Sequence, residues 1–303
     1  MTTGLAFVAL AAIWGSSFLF IRIAAPEFGA ILSAELRVGI AWVCLWLVSL
    51  FTLGPAQCFQ RPRLEPRVLV LGLTNSAIPF ALYGAASFHL SAGYLAILNA
   101  LVPLWAGLIA SVWLGQPFRW PLVLAVALAA TGIAMLVNLG PVEASLQTVW
   151  AGLACAAATF CYALAAQWTR RWFADTSPLR VARSTLGYAT LALLPFAIPD
   201  LSTAQPSAAG WFSVFMLGFL GSGLAYLLYF WLLRELGPVR AGSVTFLIPG
   251  FGILWGAVFL DEVITLSVIA GLALVVLSSL LVQRSAAGPQ GLGTKASKQS
   301  KAS

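Results

Sequence analysis

Charge is what this chain has least of. Of its 303 residues only 8% are Asp, Glu, Lys or Arg, 61% are hydrophobic, and the mean hydropathy is +0.95. So few polar residues cannot coat a water-soluble globule of this length, which excludes a soluble fold. Histidine is nearly absent too: His89 stands alone, and there is no HExxH, GxSxG or CxxC motif. A zinc site or a serine–histidine dyad lacks its raw materials, so neither metal nor cofactor is expected. Cys44, Cys58, Cys155 and Cys161 mostly fall in apolar runs, where a thiol acts as a small apolar group, and no disulfide is expected. Paired carboxylates are missing from every apolar run; Glu35 is the one acid well inside. Strong ion coupling therefore has little to rest on, although Glu35 or His89 leaves a weak proton route open. His89 itself falls at a short turn, where a solvated role is the simpler reading.

What the chain has in abundance is apolar runs near the ~20 residues that cross a bilayer. They lie at about 4–24, 29–52, 67–88, 91–114 and 120–138, then at about 149–172, 178–198, 209–233, 239–260 and 264–282. The alternation of barrel strands is absent, so the expectation is an all-α integral membrane protein of ten transmembrane helices. The first run is too long for a signal peptide and has no basic leader, so it reads as a retained span.

The chain also repeats itself. Gly72/Gly218, Tyr83/Tyr229, Pro103/Pro249 and Arg37/Arg183 are each separated by 146 residues on subtraction, and Ser76/Ser222 and Asn99/Thr245 keep the same register. Residues 1–138 and 139–284 thus read as two five-helix repeats, with 285–303 a disordered cytoplasmic tail rich in Gly, Ser, Ala and Lys. An odd number of spans per copy inverts the second relative to the first. Two such halves around an axis in the membrane suit alternating access, with the solute site between them. One chain supplies both halves, so a monomer suffices.

The net charge of +7 marks topology and not nucleic acid. With the N-terminus inside, 13 of 16 basic residues fall on inner loops or the tail, among them Arg61, Arg63, Arg67, Arg119, Arg170, Arg171, Arg234 and Arg284. Outer loops instead carry Glu27, Glu143, Asp200, Asp261 and Glu262. Both termini are therefore expected in the cytoplasm, in a multi-pass protein of a prokaryotic plasma (inner) membrane whose partners are lipid and a small solute.

Polar residues inside spans are costly unless they face protein or water, and these supply the site candidates. Pro103 and Pro249 lie roughly 18 Å into their spans, near mid-depth, and free the carbonyls of Asn99 and Thr245. Both prolines read as hinges, with Gly107, Gly250 and Gly252 permitting bending, or as ordinary kinks. Arg37, too deep for easy snorkelling, reads either as a ligand for a substrate carboxylate or as a structural partner of Glu35, although residues two apart face different sides of a helix. Arg183 can reach the inner interface. Asn75, Pro79 and Tyr83 form a stripe on one helix face, and Ser222, Tyr226 and Tyr229 form its counterpart. Trp14, Trp105, Tyr162 and Trp168 lie within spans as well, where they read as aromatic lining of a central cavity or as ordinary core.

Trp14-Gly15-Ser16-Ser17-Phe18, Arg22, Leu36-Arg37, Leu90-Ser91-Ala92-Gly93, Pro103 and Leu114-Gly115 resemble the EamA-type drug/metabolite transporters. Leu236-Gly237-Pro238, Pro249 and Leu260-Asp261-Glu262 resemble the same pattern in a second copy. The likeness covers about residues 1–284 and implies ten helices in two inverted halves that export metabolites. Many members have Leu-Gly-Glu where this chain has Leu114-Gly115-Gln116, so no role passes to that first glutamate. In length and aromatic character the chain is similar to amino-acid exporters of the YddG type, which implies aromatic and other neutral amino acids as substrates. A cavity of aromatic faces, amides, hydroxyls and one arginine suits such a solute; a nucleotide sugar would need more cationic groups. Export of other metabolites or drugs is the alternative within the same fold. An intramembrane enzyme or a structural protein is the alternative of another class, disfavoured by the thin catalytic inventory and the paired mid-depth prolines.

Overall fold

The computed structural model describes residues 2–54, 65–113, 120–139 and 145–286, and these form helices joined by short turns, with no strand among them. In chain order they are α1 (Thr3–Phe28), α2 (Ala30–Leu53), α3 (Pro66–Ala86), α4 (Ala92–Trp113) and α5 (Trp120–Leu139). Then follow α6 (Leu146–Trp172), α7 (Pro178–Ala197), α8 (Ala208–Gly237), α9 (Arg240–Leu260) and α10 (Leu266–Ala286). Eight of them are long and apolar enough to cross a membrane. Along α5 the apolar stretch Trp120–Leu136 is shorter, and α7, with Arg180 and Arg183 near its start, is not among the eight.

Local sequence explains where these helices begin. Thr2, Ser91, Ser145 and Ser207 each accept, through the side-chain oxygen, the amide hydrogen three residues on, which satisfies one orphan donor of the first turn. Gly29, at φ +81°, ends α1 and turns the chain directly into α2. The readings for Cys58, Arg61, Arg63, Leu114–Gln116, Arg119, Glu143 and residues 287–303 lie outside the described residues. The last helix runs to Ala286, two residues beyond the expected limit of 284.

Two departures from plain α-helix mark the interior. In α3 the segment Leu73–Ala77 winds as π-helix, and in α8 so does Met216–Leu224. Pro79 accounts for part of the first, since it has no amide hydrogen to return to the preceding turn. The second is glycine-rich, Met-Leu-Gly-Phe-Leu-Gly-Ser-Gly-Leu. Secondly, at the expected proline kinks the regular α-helix is interrupted by a tighter turn. Regular α-helix in α4 stops at Asn99 and resumes at Val102, while α9 passes through a 3-10 turn, Ser243–Phe246, before regular helix at Ile248. Pro103 and Pro249 are the second residues of the resumed helices, where a missing amide hydrogen costs nothing.

Helices pack mostly against partners distant in sequence: α2 against α7, α5 against α10, α1 against α9 and α8, and α6 against α4 and α3. Lipid tails are as apolar as leucine, so this association draws on close packing at small residues more than on burial. A Cβ at Gly72 would stand 2.6 Å from the Thr185 carbonyl oxygen on α7, and one at Gly218 would stand 2.5 Å from Ile40 Cβ on α2. Both crossings therefore demand the bare backbone of glycine.

Candidate functional site

The site is built around Arg37, which α2 carries into the bundle interior, where only 7% of it is exposed. Its Nε donates to Ser222 Oγ at 3.0 Å, in the π segment of α8, and its guanidinium lies 3.7 Å over the ring of Phe80 on α3. Tyr162 and Tyr226 pack against the cluster that holds Phe80. Among the described residues no carboxylate reaches Arg37. Glu35, the alternative partner, is also buried, but its Oε2 has no hydrogen-bond partner. The Glu35–Arg37 pair is thus not made, as their placement on different helix faces requires. A buried cation held by one hydroxyl and one aromatic face keeps most of its donors free for an incoming anion.

Other candidates gather on the same centre. Asn75 Nδ2 donates to the Tyr226 hydroxyl at 3.3 Å, and the neighbouring Ser76 Oγ is buried without a hydrogen-bond partner. Tyr83 donates to Asn99 Oδ1 at 3.2 Å, which ties α3 to the break in α4, and its ring stacks on Tyr162 with centroids 6.4 Å apart. Trp14 meets Tyr229 at 5.4 Å on the other flank. Ser222 and Tyr83 are only 1% and 2% exposed, so the cluster is closed in this conformation.

Two aromatic candidates sit elsewhere. Trp105 donates from its indole nitrogen to Thr159 Oγ1 at 3.1 Å and packs edge-on against Phe160; Trp168 stacks on Trp172. Both pack against a smaller apolar cluster of Ile109, Ala163 and Leu164 between α4 and α6, and Trp105 also packs against the main core. Thr245 bonds back to the Gly242 carbonyl in its own turn. Of the glycines named as hinges, only Gly250 has open space around it. A Cβ at Gly252 would fall 2.2 Å from Ala96 Cβ and one at Gly107 2.7 Å from Val282, so these two serve close packing.

The sequence reading left Phe80, Ser17 and Ser76 out of the site. Ser17 Oγ is buried without a hydrogen-bond partner, and both it and Arg37 Nη2 flank Gly221, 2.8 and 3.9 Å from where a Cβ would stand. The 146-residue register already pointed to Ser76 as the counterpart of Ser222.

An all-helical apolar bundle with a charged, hydroxyl-rich centre defines a multi-span membrane protein that handles a solute in its interior. Comparison with known proteins narrows the class: the EamA-like transporter family matches residues 2–138 and again 149–284. The chain belongs to this family. It is 26% identical over 280 residues, 91% of each chain, to a protein of Streptantibioticus cattleyicolor named "Probable terminal-alkyne amino-acid exporter". It is 28% identical to Protein PecM of Dickeya dadantii over 89% of each chain. To the uncharacterized inner membrane transporter YedA of Escherichia coli K12 it is 27% identical, over 89% of this chain and 86% of the other. A solved crystal structure, 17% identical, matches with a TM-score of 0.63 over 92% of this chain and 96% of the other, a likeness of fold alone.

Proposed function

We propose that this chain exports neutral amino acids, aromatic ones included, across a bacterial inner membrane by alternating access between two inverted five-helix halves, residues 1–138 and 139–284. The observation that carries the substrate class is Arg37: a buried guanidinium with no carboxylate partner among the described residues, set over Phe80, with Tyr162 and Tyr226 packed against the same cluster as that ring. A substrate carboxylate supplies the missing countercharge, and the aromatic faces receive an apolar side chain. The name of the Streptantibioticus relative points the same way.

Several observations support the inverted arrangement. The family matches the chain twice, and the packing pairs exchange under the 146-residue shift: α1 with α9 becomes α6 with α4, and α1 with α8 becomes α6 with α3. Gly72 and Gly218 make equivalent crossings. The bias of Lys and Arg puts both termini in the cytoplasm. Reconstituted protein is expected to move radiolabelled phenylalanine and threonine across proteoliposome membranes. The panel includes unrelated solutes and runs with and without a pH gradient. Absence of flux for every amino acid would remove the substrate assignment.

A further inference from the structure

Three of the five helices that begin at the end of the bundle opposite Thr3, α2, α4 and α8, are each closed by a carboxylate from the other half of the chain. At the start of α8, Glu27 accepts from the Ser207 amide at 2.7 Å and from its hydroxyl at 2.9 Å. At the start of α2, whose own cap residue Gly29 offers no side chain, Asp200 accepts from the Leu32 amide at 3.4 Å. At the start of α4, Glu262 accepts from Ala92 at 2.6 Å and Gly93 at 3.1 Å. Each acid fills orphan donors in the first turn and meets the positive end of the helix dipole. All three are half-buried.

Under the 146-residue register none of these three acids has an acidic counterpart at the opposite end. The positions matching Glu27, Asp200 and Glu262 are Phe173, Gly54 and Gln116, none of them acidic. The positions matching the receiving amides of Leu32 and Ala92 are Pro178 and Pro238, which have no amide hydrogen to give. The register thus carries the helices and the Gly72 and Gly218 crossings across both copies but does not carry these three clasps. Such contacts also differ from apolar packing in how they part: when they separate, acid and amide are both taken up by water, so the bond can be remade repeatedly.

We infer that Glu27, Asp200 and Glu262 form the external gate of the transporter, three clasps that hold the halves together on the outer side and bias the resting protein toward the outward-closed state. This rests on the alternating-access reading and on the orientation proposed above. It assigns export a starting point: the site loads from the cytoplasm, and the clasps open to release solute outside.

Two measurements test it. In intact cells, Ser222→Cys is labelled from outside with a membrane-impermeant maleimide, and labelling at that residue is read by peptide mass spectrometry. The triple variant Glu27→Gln, Asp200→Asn, Glu262→Gln is expected to label about tenfold faster or more, compounding a few-fold per lost charge–dipole contact. The single variants Asp200→Asn and Glu262→Gln move the rate the same way by a few-fold each and cover the case in which the triple variant fails to fold. Asp261→Asn, a neutralisation of an exposed acid beside Glu262, leaves it unchanged. In the second, Glu27→Cys with Ser207→Cys is oxidised to a disulfide, which is expected to stop export until dithiothreitol restores it. Unchanged labelling in the triple and single variants, or parent-rate export by the disulfide-linked protein, overturns the gate. Labelling does not depend on the substrate, so a protein that moves no amino acid yet labels faster on neutralisation would refute the substrate assignment and leave the gate standing.

Discussion

Replacing Arg37 with methionine separates what this side chain does for binding from what it does for stability, because the two effects have opposite signs. Methionine retains a long, polarizable body over Phe80 while removing the charge and the bond to Ser222. A carboxylate held by two charge-assisted hydrogen bonds owes them about 3 kcal/mol after desolvation, so the dissociation constant for phenylalanine should rise roughly 150-fold. In the empty protein the same guanidinium is 93% buried, on its 7% exposure, and no carboxylate among the described residues answers it. Holding such a charge out of water costs several kcal/mol, of which the Ser222 bond and the Phe80 face return about 2 kcal/mol. Arg37→Met should therefore raise the thermal midpoint of the purified, unliganded protein while weakening its binding of phenylalanine. Phenethylamine, which is phenylalanine without its carboxylate, is the internal control. The parent protein should prefer the amino acid by about 150-fold, and the variant should bind both equally weakly. Loss of affinity for both ligands by the same factor, or phenylalanine binding within about threefold of the parent, would refute the carboxylate role. A lowered midpoint would mean that the charge is compensated after all.

Two further outcomes follow from the helix breaks and the glycine crossings. Pro103→Ala or Pro249→Ala is expected to lower the transport rate in proteoliposomes with the protein still monodisperse, since an amide hydrogen at either position favours an unbroken helix; parent rates in both would reduce the breaks to ordinary kinks. Gly252→Ala is expected to destabilise the bundle by about 1–3 kcal/mol through overpacking against Ala96, read as a lower thermal midpoint, whereas Gly250→Ala, in open space, has no such effect.

Much of this architecture is legible in the sequence because membrane spans are long and their polar content is low. The positions of the helices, the pairing of Gly72 with Gly218 and the centrality of Arg37 all follow from run length, register and the cost of a buried charge. Periodicity also grouped Asn75, Tyr83, Ser222 and Tyr226 on faces that the structure turns into the bundle, where they bond to partners on other helices. It could not separate Tyr162, which stacks on Tyr83, from Trp168, which packs into a side cluster, or from Trp105, which bridges that cluster and the main core, since all three are aromatic residues in apolar runs and only tertiary neighbours distinguish them. Nor could it tell Gly250 from Gly252, two residues apart, one in open space and one pressed against Ala96. The π segments escaped because they depend on how α3 and α8 cross their partners. Ser17 escaped because a lone serine in a span is unremarkable until its neighbours are known.

Those π segments have a consequence for how this scaffold can diverge. Each lies just beyond or around a glycine crossing, Gly72 in one half and Gly218 in the other, and before the aromatic residues that line the centre. One residue of an α-helix corresponds to about 100° of rotation. Deleting a single residue from Leu73–Ala77 would swing Phe80 and Tyr83 around the axis while the Gly72 contact with α7 stayed fixed. The wide turns thus act as phase adjusters: anchor and lining sit on one helix yet drift independently, and the chemistry presented to a solute can change without redesign of the frame.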